Sequence, residues 1–490
     1  MSLLIFLSSG LFLGWSVGAN NTGNVFGTAV GSKMVSFKVA ATVCCICLIS
    51  GALLSGSGAT STLGKLGSVN EIGGAFIVAL AAAVAISGMT RLKLPVSTSQ
   101  SIVGAIIGWN FFAGAITDYG SLTKIVSSWI MAPVISGIFA IITYILVRKL
   151  LSRIKIHLLY LDSYNRIGLI IVGGFGAYSL GANNIANVMG VFVPVVPLRH
   201  IDTFLGTISG TEQLFIMGGI AMAVGVITYS GKVLRTVGNN IMPLTPITAF
   251  IVVFSSSMVL FLFSSQSLER FLIMRGLPTI PLVPLASAQT VIGAIIGIGI
   301  YQGGKELNLR VIAKIASGWI TAPVIACTVS LISLYIIQNV FNQPVYKPVS
   351  YKMSYDVEKR LISEGIVFEG MDSLLNQEYK NAVEFQSALK NYSQYIDDLH
   401  IRRVIELSAL RNLTVNTDLI QFEINEGWFT QEQSEILEKL NGRNFEYAWE
   451  LRDALEAHGT DWRLKDNTPE GKQINKDINL KFDYICKKFW

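Results

Sequence analysis

Over its first two thirds the chain alternates long apolar runs with short polar joints. A membrane-crossing helix needs about 20 mostly apolar residues. Ten runs approach that length, at about residues 3–30, 36–56, 72–90, 95–114, 124–147, 167–193, 204–230, 241–263, 281–301 and 311–340. From residue 344 the pattern changes. Apolar positions recur at helical spacing over 374–392 and 430–440. Ile420, Phe422, Trp428, Phe429, Phe445, Tyr447 and Trp449 could build a small soluble core.

The two halves of the apolar part match each other. Gly18-Ala19-Asn20-Asn21 recurs as Gly181-Ala182-Asn183-Asn184, with Asn24 matching Asn187 and Gly27 matching Gly190. Residues 102–108 recur at 291–297. Lys124-Ile125 with Trp129 and Pro133 recurs as Lys314-Ile315 with Trp319 and Pro323. Three motifs in the same order mark a duplication. Five segments per half is an odd number, so the second repeat enters the membrane inverted, as in many secondary transporters. The expected fold is an all-α polytopic membrane protein. It has two inverted-topology repeats of about five transmembrane segments each, with broken or re-entrant helices, and a C-terminal soluble, mostly helical module. The expected boundaries are 1–160, 161–343 and 344–490.

Composition agrees. Of 490 residues, 51% are hydrophobic and only 14% charged, against about 25% charged in soluble domains. Mean hydropathy is +0.52. A disordered chain, a coiled coil and an ordinary soluble enzyme are excluded. The net charge of +6 hides an asymmetry. Residues 1–346 hold 19 basic and 7 acidic residues, and 347–490 hold 19 and 25. The basic excess therefore sits in membrane loops and implies no nucleic-acid partner. If all ten runs cross, one face collects Lys33, Lys38, Arg91, Lys93, Arg148, Lys149, Arg153, Lys155, Arg166, Lys232, Arg235, Lys305, Arg310 and Lys314. The other collects Lys65, Lys124, Arg199, Arg270 and Arg275. The positive-inside rule makes the first face cytoplasmic, with the N-terminus and the C-terminal module outside. The five Cys form no disulfide framework and no metal-ligand spacing. A cleaved signal peptide is not expected, because no basic region precedes Leu3.

The candidate chemistry is polar but uncharged. Asn20, Asn21, Thr22 and Asn24 interrupt the first run, and Asn183, Asn184 and Asn187 the sixth. Amides in hydrocarbon need partners or a water-filled cavity. Neighbouring glycines allow either a broken helix or a close backbone approach. A second motif pair, Pro95-Val96-Ser97-Thr98-Ser99-Gln100 and Pro284-Leu285-Ala286-Ser287-Ala288-Gln289, reads as two helix starts. Such N-termini favour anions. Together the four motifs suit a small oxyanion with a cation nearby.

These motifs resemble those of the inorganic phosphate transporter (PiT) family of ion-coupled phosphate and sulfate permeases, over about residues 1–343. The family signature Gly-Ala-Asn-Asp-Val-Ala-Asn-Ala-Phe-Gly is similar to the stretches from Gly18 and from Gly181. Its Pro-Val-Ser-Thr-Thr-His motif is similar to 95–100 and, loosely, to 284–289. The resemblance implies import of inorganic phosphate, coupled to Na⁺ or H⁺, by alternating access at the repeat interface. Sulfate is the alternative substrate. It implies substrate contacts from Asn20, Asn21, Thr28, Ser97, Thr98, Ser99, Gln100, Asn183, Asn184, Ser287 and Gln289, and cation contacts from Asn21, Asn24, Asn184 and Asn187. No metal beyond Na⁺ and no cofactor is implied, and the setting is a multi-pass protein of the plasma membrane.

The chain departs from the family pattern where charge matters. Asn21 and Asn184 replace Asp, and Gln100 and Gln289 replace His. Amide oxygens can ligate Na⁺ but do not neutralise it, and neither Asn nor Gln titrates. Sulfate has no proton to donate, so neutral amides suit it better than carboxylates would. Glu212 is the acidic residue placed most clearly inside a run, where a carboxylate is a functional candidate or the partner of a loop cation. A channel or nutrient-sensing receptor is the remote alternative. An enzyme is not expected, since His157, His200, His400 and His458 join no catalytic or metal grouping. No oligomeric state can be read from the residues, although transporters commonly form homodimers.

Overall fold

A computed structural model describes residues 2–67, 69–91, 96–153, 157–196, 198, 201–203, 206–230, 242–392, 396–466 and 468–490. Pro95 and the loop cations Lys93, Lys155, Arg199, Lys232 and Arg235 lie outside the described residues, as do His200 and the side chain of Thr28.

Each of the ten apolar runs contains a helix. They are α1 (Ser2–Gly31), α2 (Phe37–Ser55), α4 (Ile72–Arg91), α5 (Thr98–Ala113), α6 (Tyr119–Arg153), α7 (Leu158–Met189), α8 (Gly210–Thr228), α9 (Pro246–Ser264), α11 (Ser287–Tyr301) and α12 (Leu309–Asn339). Eight are long and apolar enough to cross a membrane, and α5 and α11 are shorter. Among the described residues of this part, two short helices fall outside the expected runs: α3 (Ser57–Leu66) and α10 (Gln266–Met274). Helix α8 starts later than its apolar run, because strands β1 (Ile201–Thr203) and β2 (Gly206–Ile208) pair just before it.

The chain forms two compact units, one of residues 1–112 and 117–347, the other of 113–116 and 348–490. In the first unit, helices of one half pack on helices of the other. Helix α1 lies against α8, and α7 lies against α2. A methyl group on Gly18 would overlap the carbonyl oxygen of Met222, and one on Gly181 would overlap that of Leu48. The same pairs of helices meet again one turn away, at Gly225 with Trp15 and at Gly51 with Tyr178. The motif glycines therefore serve a close backbone approach. Of the two readings, a broken helix or a close approach, the second holds: α1 and α7 run as continuous helices through their Asn motifs. The amides of those motifs find side-chain and carbonyl partners, so no unwinding is needed to satisfy them.

Helices α5 and α11 instead begin inside the protein. Residues 96–97 and 277–286, which lead into them, are not helical. Ser97–Ser101 and Ser287–Thr290 are buried. Glu212 is also reassigned. It stands in the first turn of α8 and forms a capping box with Ser209, accepting from the backbone N at 2.7 Å and from Oγ at 2.8 Å. Its carboxylate satisfies helix-end donors, and that accounts for an acidic residue at the edge of an apolar run.

In the second unit, β3 (Tyr351–Lys352), α13 (Tyr355–Ser363), α14 (Met371–Leu374), β4 (Glu378–Tyr379), α15 (Ala382–Tyr392) and α16 (Asp398–Ser408) surround one core, which includes Val357, Leu361, Phe385 and Val404. Strands β5 (Leu410–Thr414) and β6 (Asn444–Tyr447) pair antiparallel. With α17 (Gln421–Asn425), α18 (Gln431–Lys439), α19 (Ala448–His458) and α20 (Pro469–Phe489) they enclose a second core around Ile420, Phe429, Leu437, Leu451 and Trp462. The helix expected over 374–392 is split. Asn376 adopts φ of 58° and turns the chain into β4, a backbone state that Asn tolerates better than most residues. Glu364 accepts from Arg403 of α16 at 2.7 Å and from Arg360 of α13 at 3.2 Å. The Arg403 hydrogen bond holds its carboxyl below the usual range.

Candidate functional site

The four motifs meet in the first unit. Helices α1 and α7 supply amides, and the starts of α5 and α11 supply hydroxyls and main-chain groups. Asn20 and Asn183, at matching positions, hold the segments just before those starts. Asn20 Nδ2 donates to the Val96 carbonyl at 3.2 Å. Asn183 grips Leu285 from both sides, donating to its carbonyl at 2.8 Å and accepting from its N–H at 2.7 Å. Val96 and Leu285 are themselves matching residues of the two motifs. A buried extended segment has main-chain donors and acceptors that no helix or sheet satisfies, and these amides satisfy them.

Other bonds cross between the halves. Asn184 Oδ1 accepts from Thr98 Oγ1 at 2.8 Å, from Asn21 Nδ2 at 3.3 Å and from Asn187 Nδ2 at 3.3 Å. Its own Nδ2 donates to the Leu180 carbonyl at 2.9 Å. A carbonyl only accepts, so this bond fixes which way the Asn184 amide points. Asn187 Nδ2 also donates to Ser99 Oγ at 2.9 Å, and Ser99 Oγ donates to the Leu285 carbonyl at 2.8 Å. Asn24 Nδ2 donates to Ser287 Oγ at 3.3 Å. Asn20 Nδ2 donates to Asn21 Oδ1 at 3.0 Å, and Asn21 Nδ2 lies 3.5 Å from Thr98 Oγ1.

The two helix starts differ. Ser97 caps α5 by accepting from the Gln100 N–H at 3.3 Å. Ala286 stands at the corresponding place before α11 and makes no side-chain cap. The first-turn amides of α11 thus lack a hydroxyl competitor and carry the positive end of the helix dipole.

The structure brings Asn20, Asn21, Thr98, Ser99, Asn183, Asn184 and Asn187 into one hydrogen-bonded, buried network, and pairs Asn24 with Ser287. Ser97 acts on its own helix. Gln100 and Gln289 are buried, and the Oε1 of each has no partner among the described residues; the same holds for Asn187 Oδ1. The polar side chains of the network and motifs are all neutral amides or hydroxyls. Sequence reasoning missed Thr90, whose Oγ1 lies 3.5 Å from Asn20 Oδ1. It also missed the main-chain roles of Val96 and Leu285. Their positions inside matching motifs were the available signal.

The model of the phosphate transporter family matches residues 17–269 and 273–431. The second stretch runs past the last membrane helix, beyond the 1–343 that the motifs span. Relatives bearing the name "Putative phosphate permease" include one from Thermococcus kodakarensis, 26% identical over 400 residues, covering 66% of this chain and 95% of its own. Another, from Haemophilus influenzae, is 26% identical over 419 residues, covering 68% and 96%. A solved structure, of the sodium-dependent phosphate transporter, is similar in fold with a TM-score of 0.55. It is 22% identical and covers 69% of this chain and 99% of its own.

Proposed function

This chain belongs to the phosphate transporter family, and on that premise we propose that it imports inorganic phosphate by secondary active transport coupled to a cation. It is an integral, multi-pass membrane protein, and its family is one of transporters, not enzymes. The observation that carries the proposal is the convergence of duplicated amide and hydroxyl motifs from both halves at two buried helix starts. Asn20, Asn21, Ser97, Thr98, Ser99, Gln100, Asn183, Asn184, Ser287 and Gln289, with Thr28 by resemblance, carry amide or hydroxyl donors that suit a small oxyanion once the bonds that now occupy several of them, such as Thr98 to Asn184 and Ser99 to Leu285, are released. The uncapped start of α11 adds main-chain donors. Alternating access is supported by the bonds that tie one half to the other, which would exchange as the site opens to each side. The names borne by the relatives favour phosphate over sulfate.

For the cation we propose Na⁺. None of the site side chains titrates near neutral pH, so a proton has no carrier among them. Asn187 Oδ1, buried and without a partner among the described residues, is the strongest ligand candidate, followed by its counterpart Asn24 and by Asn21 in the first half. Asn184 Oδ1 is already filled by three donors in this structure. Uptake of labelled phosphate into proteoliposomes tests the proposal. It is expected to be saturable, to fall when external Na⁺ is replaced by choline, and to resist excess sulfate. Uptake that survives choline but collapses with the pH gradient assigns the coupling to protons. Saturable sulfate uptake without phosphate competition overturns the substrate.

A further inference from the structure

Two tryptophans carry a deficit that matches one inside the site. Trp129 of α6 and Trp319 of α12 sit at corresponding positions of the two halves, each four residues before a proline within its helix. Each indole Nε1 is buried and has no hydrogen-bond partner among the described residues. The complementary orphans are Gln100 Oε1 and Gln289 Oε1, acceptors without donors on side chains only 2% exposed.

Helix register places these orphans on facing positions. A methyl on Gly104 of α5 would overlap the Pro323 carbonyl of α12, and one on Gly108 would press on the Cys327 carbonyl. Both contacts advance by four residues, so α5 and α12 run parallel here. Four residues earlier on each helix, Gln100 falls opposite Trp319. In the corresponding pair, α11 on α6, Gly293 meets the Pro133 carbonyl and Gly297 meets that of Gly137. The same displacement sets Gln289 opposite Trp129. Ser136, Ser330 and Gln338, the other orphans among the described residues of α6 and α12, do not fall on matching positions. The duplication is specific to the tryptophan–glutamine pairs.

Neither indole is bonded to its facing glutamine in this structure; we propose that Trp319 and Trp129 are positioning residues of the transport site, each donating its indole N–H to the amide oxygen of the facing glutamine when substrate is bound, Trp319 to Gln100 and Trp129 to Gln289. The proposal rests on the oxyanion-transport reading above. An indole only donates, whereas a glutamine amide offers a donor at one end and an acceptor at the other. Engaging Oε1 leaves Nε2–H as the end that meets the substrate. An unoriented glutamine would spend part of its time presenting an oxygen to an anion. The tryptophans thus convert a two-faced amide into a fixed donor, once in each half.

A double-mutant cycle on the full-length protein tests this. Phosphate KM and Vmax are measured in proteoliposomes for Trp319→Phe, Gln100→Ala and the double variant, and Tm is measured with and without phosphate. The second cycle uses Trp129→Phe and Gln289→Ala, which keeps the test alive if one variant misfolds. Loss of one such hydrogen bond is expected to raise KM about five- to tenfold, with Vmax held. Adding Trp319→Phe to Gln100→Ala should change KM and Tm little further, because coupled residues are non-additive. Equal effects of Trp319→Phe in both backgrounds, on KM and on Tm, overturn the pairing. Coupling in Tm without coupling in KM overturns the positioning role and leaves only a packing contact. If the wild type imports no phosphate, the proposed function fails and the positioning role with it, while the Tm cycle still decides whether the pair exists.

Discussion

Asn184 shows what replacing a carboxylate with an amide does at this site. Its Oδ1 takes three donors, as a carboxylate oxygen could, but its Nδ2 must donate to the Leu180 carbonyl. A carboxylate would turn an oxygen toward that carbonyl, acceptor against acceptor. In Asn184→Asp only the protonated acid can donate to Leu180. Phosphate uptake by this variant should therefore be present at acidic pH and fall as the new carboxyl ionises. The wild type, with an amide there, should show no such step. A pH profile of uptake for both proteins checks it. At this scale much was legible in the sequence. The four motifs announced most of the network, since buried amides in an apolar run demand partners. Main-chain partners such as Leu285 were not legible, because a carbonyl's role depends on where an extended segment is placed, not on its side chain. Glu212 misled for a related reason: a capping residue and an intramembrane carboxylate look alike until the helix start is located.

Among the helices, the motif glycines have a packing role that their place beside asparagines concealed. Gly18 lies against a backbone carbonyl of α8, whereas Gly31, on the same helix, has nothing within 4 Å of where a methyl group would stand. Gly18→Ala should destabilise the protein by about 1–3 kcal/mol through overpacking, and Gly31→Ala should not. Thermal unfolding in detergent separates the two. Gly181→Ala should repeat the Gly18 effect in the other half. The ten helices were readable because length and apolarity define them. Helices α3 and α10 were not, being short and more polar than the runs around them. The pairing of α1 with α8 and of α7 with α2 was also hidden. Duplication reveals which helices correspond, but not that each packs on a helix of the other half.

For the molecule as a whole, charge and chemistry separate into two units. The network lies in the unit of residues 1–112 and 117–347, and the acid-rich residues 348–490 belong to the other with its own two cores. Removing 348–490 should therefore leave phosphate uptake in place, whereas a receptor that signals through this unit would lose its output. Uptake by the truncated chain, corrected for protein in the membrane, is the check. Whether phosphate passes through the duplicated amide site is decided by labelled phosphate uptake in matched proteoliposomes of the wild type and of Asn184→Ala. Saturable uptake is expected for the wild type and none for the variant, with equal amounts of folded protein in both. Normal uptake by Asn184→Ala, or no saturable uptake by the wild type, would contradict passage through this site.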